Sequence, residues 1–241
     1  MSIKFQVMLK LQLQMMRIVL VGGLFGWLVL VAGNLFDGSG AIGGWSLEFI
    51  ALYLAAILGY IATPWALGAA FQNGVSRQLF LRTAAVGLGL CAILMSGFVT
   101  IAGSLLASDG GFLAATYHLS GAGGIVLGAV MRVVAYLAIA ALGVASGFWT
   151  LPWLGKARFA FVFVIYGVMV LPGIILAVVL EAAPNLPARS GGLRGWLALV
   201  GLPWHAAPQP WRLLVLLLVL LLGGGALAVH LGRHVELTDR I

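Results

Sequence analysis

The chain is short of charged side chains. Lysine, arginine, aspartate and glutamate make up only 8% of its 241 residues, whereas a soluble domain carries about 25%. So few charges cannot cover a water-exposed surface, which excludes an ordinary soluble protein. Cysteine is rarer still, because Cys91 is the single one. It lies in an apolar run, where we expect a packing residue and no redox chemistry.

Two further absences limit the chemistry. No glycine-rich segment ends in Gly-Lys followed by Ser or Thr, so the sequence lacks the loop that cradles nucleotide phosphates. Only 6 residues are acidic, and no pair of them is placed to hold magnesium. The sequence therefore predicts no nucleotide hydrolysis, no cofactor and no metal site within this chain.

Apolar sequence is what the chain has in abundance. Hydrophobic residues make up 63% of it, and the mean hydropathy is +1.14. Apolar runs near the ~20 residues that a helix needs to cross a bilayer fall at 17–36, 46–65, 84–107, 131–150, 159–180 and 211–230. Lipid offers the backbone no hydrogen-bond partner, and these runs do not alternate as barrel strands do. We expect an all-α membrane protein with six transmembrane helices in one domain, residues 1–241.

Basic residues predict the orientation, because cytoplasmic loops carry an excess of lysine and arginine. With six spans and the N-terminus inside, nine of the 13 basic residues lie in the cytoplasm. These are Lys4, Lys10, Arg17, Arg77, Arg82, Lys156, Arg158, Arg233 and Arg240. We therefore expect both termini inside, and we assign the net charge of +7 to membrane anchors and not to nucleic acid.

Segments outside the six runs have their own patterns. In residues 1–16 apolar positions alternate with Lys and Gln, which is formally a strand period. Gln, Lys, Leu and Met favour helix, so we expect an interfacial helix that leads into the first span. The outer connection 108–130 is rich in glycine. The outer segment 181–210 is long enough that we expect structure of its own before the last span.

Glycine pairs and serines indicate packing more than catalysis. The pairs at 22 and 26, 124 and 128, and 143 and 147 are small faces that allow helices to approach closely. Ser120 and Ser146 each precede a glycine, as in an intramembrane serine protease. Such an enzyme also needs a base beside the serine at membrane depth, and the only candidate, His118, flanks a loop.

Three charged residues, Glu48, Arg132 and Glu181, fall near the outer ends of apolar runs. Ionisable residues in spans often mark functional sites. Two interpretations stay open at this point. The side chains line an outer vestibule, or they lie at the interface and reach the lipid headgroups.

A polar island interrupts the apolar sequence between the second and third runs, and it reads Gln-Asn-Gly-Val-Ser-Arg-Gln at 72–78. Asn73-Gly74 is a turn signal. Ser76 is a suitable N-cap for the helix that follows. Before the turn, residues 64–71 can form a short helix with Pro64 in its first turn. We predict a helix–turn–helix on the cytoplasmic side at 63–82, which we call the elbow.

The stretch 66–80 resembles the first cytoplasmic loop of small six-span permeases of type-2, exporter-class ATP-binding-cassette transporters. In that family a Gly-Val-Ser/Thr-Arg core follows a short amphipathic helix that docks into a groove on a separate ATPase. The residues that match are Gly74, Val75, Ser76 and Arg77, followed by the aromatic Phe80. The sequence departs at Gln78-Leu79, where relatives more often have a second basic or polar residue, and Arg82 can compensate.

The resemblance implies the permease subunit of an exporter in the bacterial plasma (inner) membrane. A second permease subunit, identical or related, would complete the pathway in the lipid bilayer. ATP and magnesium would be bound by the partner ATPase, so this chain would not itself be an enzyme. The ATPase-docking residues would be Phe71, Gln72, Asn73, Gly74, Val75, Ser76, Arg77, Phe80 and Arg82. The alternative is a membrane-embedded enzyme, or an accessory or scaffold membrane protein, without an ATPase.

Overall fold

A computed structural model of the chain describes residues 3–37, 44–63, 67, 70, 72, 74–105, 112–150, 199, 201 and 207–234. These residues form the helices α1 (Ile3–Asp37), α2 (Gly44–Ile61), α3 (Arg77–Leu105), α4 (Phe112–Tyr117), α5 (Gly121–Thr150) and α6 (Pro210–His234). The described part of the chain contains no strand, which confirms the all-α prediction. The fifth apolar run at 159–180 and residues 181–198 of the outer segment lie outside it.

Among the described residues, three helices are long and apolar enough to cross a membrane. They are Arg77–Ala102 within α3, the whole of α5, and Pro210–Arg233 within α6. Their mean hydropathy is 2.2, 2.3 and 2.6, respectively. Within α2, Ile50–Ile61 is a shorter apolar helix. The chain is therefore an integral membrane protein.

Helix boundaries extend beyond the apolar runs that predicted them. Helix α3 begins at Arg77, so part of the elbow forms its first turns. Helix α5 begins at Gly121, within the outer connection 108–130. Hydropathy marks where a helix meets hydrocarbon, whereas capping residues and turns decide where the helix itself begins.

The N-terminal residues are helical and continuous with the first apolar run. Helix α1 extends from Ile3 to Asp37 without a break, because no proline precedes Pro64. Met8, Gln12 and Met16 are buried, and their spacing of four residues places them on one face of the helix. Residues 3–16 are thus helical and lead directly into the first apolar run, as expected, and this part of α1 packs on the bundle.

Helices α1 and α3 run in the same direction. The Gln12 side chain donates to the Phe80 carbonyl at 3.5 Å, and one turn later the Met16 sulfur lies 3.8 Å from the Cys91 thiol. The second pair lies later than the first in both helices, so the two helices are parallel.

Helices α2, α5 and α6 run the opposite way to α3. Arg132 meets Glu48 near the start of α2, and the Thr150 hydroxyl lies 3.2 Å from the Tyr60 hydroxyl near its end. Leu214 packs near Met131 at the start of α6. We call the end of the bundle where α2 and α5 stop the elbow end, and the opposite end, with α4, the far end.

Helices α2 and α5 approach each other closely along their backbones. A Cβ atom on Gly143 would lie 3.0 Å from the Tyr60 nitrogen and closer still to the Ala56 carbonyl oxygen. A Cβ on Gly147 would lie 2.8 Å from Thr63 Cβ. The glycine pair at 143 and 147 therefore forms a close helix contact, as its spacing predicted. The pair at 22 and 26 has nothing within 4 Å within the described chain.

Replacing Gly143 by alanine should lower the free energy of unfolding by about 1–3 kcal/mol, because the added methyl group meets backbone that can move only if α2 and α5 separate. Gly97→Ala is the matched control, since Gly97 is helical and a Cβ atom there would have no described neighbour within 4 Å. It should be neutral, or stabilising by up to about 1 kcal/mol. Thermal unfolding of both variants in detergent measures the difference. Equal stability of the two would contradict the close α2–α5 contact.

Candidate functional site

Two backbone features form the turn of the elbow. The Val75 N–H donates to the Ala70 carbonyl at 2.9 Å, and Gly74 between them has a φ of 63°. A bond of this span around a left-handed glycine is the Schellman arrangement that ends a helix. Glycine adopts the left-handed conformation without the steric cost of a Cβ atom. The predicted turn at Gly74 is confirmed.

Ser76 begins the next helix. Its hydroxyl oxygen accepts a hydrogen bond from the Leu79 N–H at 3.3 Å, and its carbonyl accepts one from the Phe80 N–H at 3.0 Å. A serine oxygen bonded to the N–H three residues on satisfies one of the free donors of a helix start. The predicted N-cap is confirmed, because Ser76 directly precedes Arg77, the first residue of α3.

Apolar side chains of the elbow face the interior of this chain. Leu67, Ala70, Val75 and Phe80 are all buried. The Phe80 ring packs edge-on against the Phe148 ring of α5, with a centroid distance of 6.4 Å. Val75 and Phe80 were expected to contact a partner. In the structure they anchor the elbow to its own bundle, because the apolar surface they would offer is already covered by this chain.

Polar bonds tie the elbow to the helices around it. The Thr63 hydroxyl, fully buried, lies 3.4 Å from the Val144 carbonyl of α5. Arg77 donates from Nη1 to the Arg233 carbonyl near the end of α6, at 2.6 Å. The last carbonyls of a helix lack partners within it, so a guanidinium there is favourable. The elbow is joined to α2, α3, α5 and α6 at once.

The exposed surface of the elbow, among the described residues, is made mostly of polar side chains. Gln72, Gly74, Ser76, Gln78 and Arg82 are exposed. The docking residues Phe71 and Asn73 lie outside the described residues. Among the described side chains, the elbow thus presents amide, hydroxyl and guanidinium groups outward while its apolar groups point inward.

A second polar cluster lies at the far end. Glu48 Oε1 accepts a bond from Arg132 Nε at 2.7 Å, and Glu48 Oε2 accepts one from the Leu113 N–H of α4 at 3.2 Å. Arg132 Nη1 donates to the Thr100 hydroxyl at 3.0 Å. Glu48 and Arg132 are only 5% and 3% exposed. We call these four residues the far-end network.

The sequence placed Glu48 and Arg132 at one depth but did not pair them. Side chains that reach lipid headgroups would be exposed at the surface of the chain, whereas these two are buried against each other. Opposite charges at matching depth in two spans were the available signal. Thr100 gave none, because a lone threonine is common in spans. Glu181 lies outside the described residues.

The serine positions show no catalytic arrangement in the described part of the chain. The Ser146 hydroxyl bonds the Gly143 carbonyl of its own helix at 2.7 Å, which is ordinary back-bonding. His118 and Ser120 are both exposed in the turn before α5.

No family model, curated protein or solved structure matches this chain.

Replacing Ser76 by alanine should lower the free energy of unfolding by about 1 kcal/mol, because the Leu79 N–H loses its cap. Gln78→Ala is the matched control, since Gln78 is an exposed neighbour and such surface changes stay within about 0.5 kcal/mol. Chemical unfolding in mixed micelles measures both variants. An unchanged stability for Ser76→Ala would show that the cap contributes nothing.

Proposed function

We propose that the chain is the membrane-spanning permease subunit of an ATP-binding-cassette exporter in the bacterial plasma membrane. It has six spans with both termini in the cytoplasm, and two permease subunits form the pathway. A separate ATPase subunit, which binds ATP and magnesium, docks on the elbow. The cargo is not part of the proposal.

The main support for the proposal is the construction of the elbow. A Schellman hydrogen bond ends the helical residues before the turn, and the Ser76 cap begins the helix after it. The backbone between the two helices is therefore fixed at both sides, while Gln72, Gln78 and Arg82 face outward. A surface that is both fixed and exposed suits a partner that transmits force through it.

The contacts of the elbow also support a mechanical role. A push on the elbow reaches α2 and α5 through Thr63, and it reaches α6 through Arg77. Helix α3 moves with it, because Ser76 and Phe80 belong to the first turn of that helix. Closure of two ATPase subunits on ATP would thus move several helices as one body, which is a common form of switching transition.

Charge indicates the chemistry of the docking groove. Arg82 is exposed, and Gln72 and Gln78 add amide groups beside it. Arginine pairs well with carboxylates because its planar guanidinium offers two parallel donors. The groove on the ATPase should therefore present at least one carboxylate to Arg82, while Val75 and Phe80 hold the elbow in place from within.

The test is co-purification in mild detergent from cells that express the tagged chain. A nucleotide-binding subunit should be recovered with the wild-type chain. The variant carrying Gln72→Ala, Gln78→Ala and Arg82→Glu should insert normally and recover at least about tenfold less ATPase, the loss expected when a charge pair and its neighbours are removed from an interface.

The matched control carries His118→Ala and Ser120→Ala, two exposed residues at the far end. It should recover as much ATPase as the wild type. A wild-type chain that recovers no nucleotide-binding subunit would contradict the proposal. Lost biological activity in the control, together with full activity in the elbow variant, would favour the membrane-embedded enzyme instead.

A further inference from the structure

The far-end network joins four helices through one carboxylate and one guanidinium. Glu48 of α2 bonds Arg132 of α5 and the Leu113 N–H of α4, while Arg132 also bonds Thr100 of α3. We propose that this network is a latch that holds α4 against the bundle and keeps the far end closed. The inference goes beyond the proposed function, and its test needs no ATPase.

The two attachments of α4 and α5 to Glu48 depend on each other. Glu48 uses Oε1 for Arg132 and Oε2 for Leu113, so the carboxylate that holds α4 is the one that Arg132 neutralises. Both charged side chains are almost fully buried. Removing either partner leaves a buried charge uncompensated, which is strongly unfavourable. The latch is therefore either closed with all its bonds or open with both charges hydrated.

Helix α4 has the build of a movable strap. It spans only Phe112–Tyr117, too short to be stable by itself, and the turn that follows contains His118 with a φ of 51° and Gly121 with a φ of 70°. Segments at the ends of helices that absorb such backbone changes serve as hinges. Leu113 and Tyr117 pack near Met131, so α4 is held by apolar contact as well as by Glu48.

Opening the latch would admit water to the buried hydroxyl of Tyr136. Tyr136 lies one helical turn beyond Arg132 on α5 and is 1% exposed, and its hydroxyl has no hydrogen-bond partner among the described residues. A buried polar group without a partner is costly. Tyr136 lines a small cavity together with Cys91 and Met95, and the volume of this cavity is about 10 Å³. Water that enters there gains a partner in the Tyr136 hydroxyl.

The first test is amide hydrogen exchange at Leu113, in the full chain in nanodiscs. Leu113 lies in the first turn of α4, where an N–H has no partner within its helix, so its protection reports the bond to Glu48. Glu48→Gln should speed its exchange by about tenfold or more, as expected for losing a bond to a charged acceptor. Ser146→Ala is the matched control, because in the described part of the chain that hydroxyl bonds the Gly143 carbonyl of its own helix, and it should leave the rate unchanged.

The second test measures opening by thiol labelling at position 96. Ser96 is buried one turn from Thr100 on α3, so Ser96→Cys in a Cys91→Ala background places a single thiol beneath the latch. With the latch intact a maleimide should react slowly, and Glu48→Gln should raise the rate by at least about tenfold. Thr100→Val removes the hydroxyl that accepts from Arg132 Nη1 and donates to the Ser96 carbonyl. It should raise the rate at least about threefold, less than Glu48→Gln does, because the ion pair itself stays intact.

Two results would overturn the latch. The first is a wild-type Leu113 amide that exchanges at the rate of an unstructured peptide. The second is equal labelling of position 96 with and without the Glu48 carboxylate. If Glu48→Gln fails to fold, Thr100→Val decides in its place. Faster labelling then supports the latch, and unchanged labelling contradicts it.

Discussion

The close approach of α2 to α5 is the constraint on which the two functional regions depend. Gly143 and Gly147 let the α5 backbone lie against α2 near Tyr60 and Thr63. The helices run in the same direction, so this contact also fixes which residues meet at each end. At the elbow end Thr63 meets the Val144 carbonyl, and at the far end Glu48 meets Arg132. Any side chain larger than glycine at these positions would separate the helices and disturb both ends.

The two ends are built from different interactions. The elbow is fixed by neutral backbone bonds and caps around Gly74 and Ser76, which keep their geometry while the polar side chains stay in water. The far end depends on a buried ion pair, which is costly to break on one side and demands hydration when it opens. A rigid surface at one end and an all-or-none closure at the other fit a protein that receives force at the elbow and responds at the far end.

Local features of this chain could be predicted from its sequence, and features that depend on packing could not. The cap at Ser76 and the turn at Gly74 follow from residues within a few positions, and both occur in the structure. The inward position of Phe80 depends on Phe148, which is distant in sequence and has no local signal. The Glu48–Arg132 pair likewise requires knowing that α2 and α5 are neighbours in parallel. The extension of α5 before its apolar run had no hydropathy signal, because residues 121–130 are rich in glycine. Helix at residues 3–16 was expected from residues that favour helix, and it is present.

In the proposed exporter the elbow and the far-end network must be coupled, which requires that both ends bias one two-state element. The direct measurement is hydrogen exchange at the Leu113 amide in the complex with the ATPase, first without nucleotide and then with ATP trapped in a hydrolysis-deficient ATPase. We expect exchange to become faster by about tenfold or more in the ATP-bound complex, because the bond from Leu113 to Glu48 is released when the far end opens. Equal exchange in the two states would contradict the account.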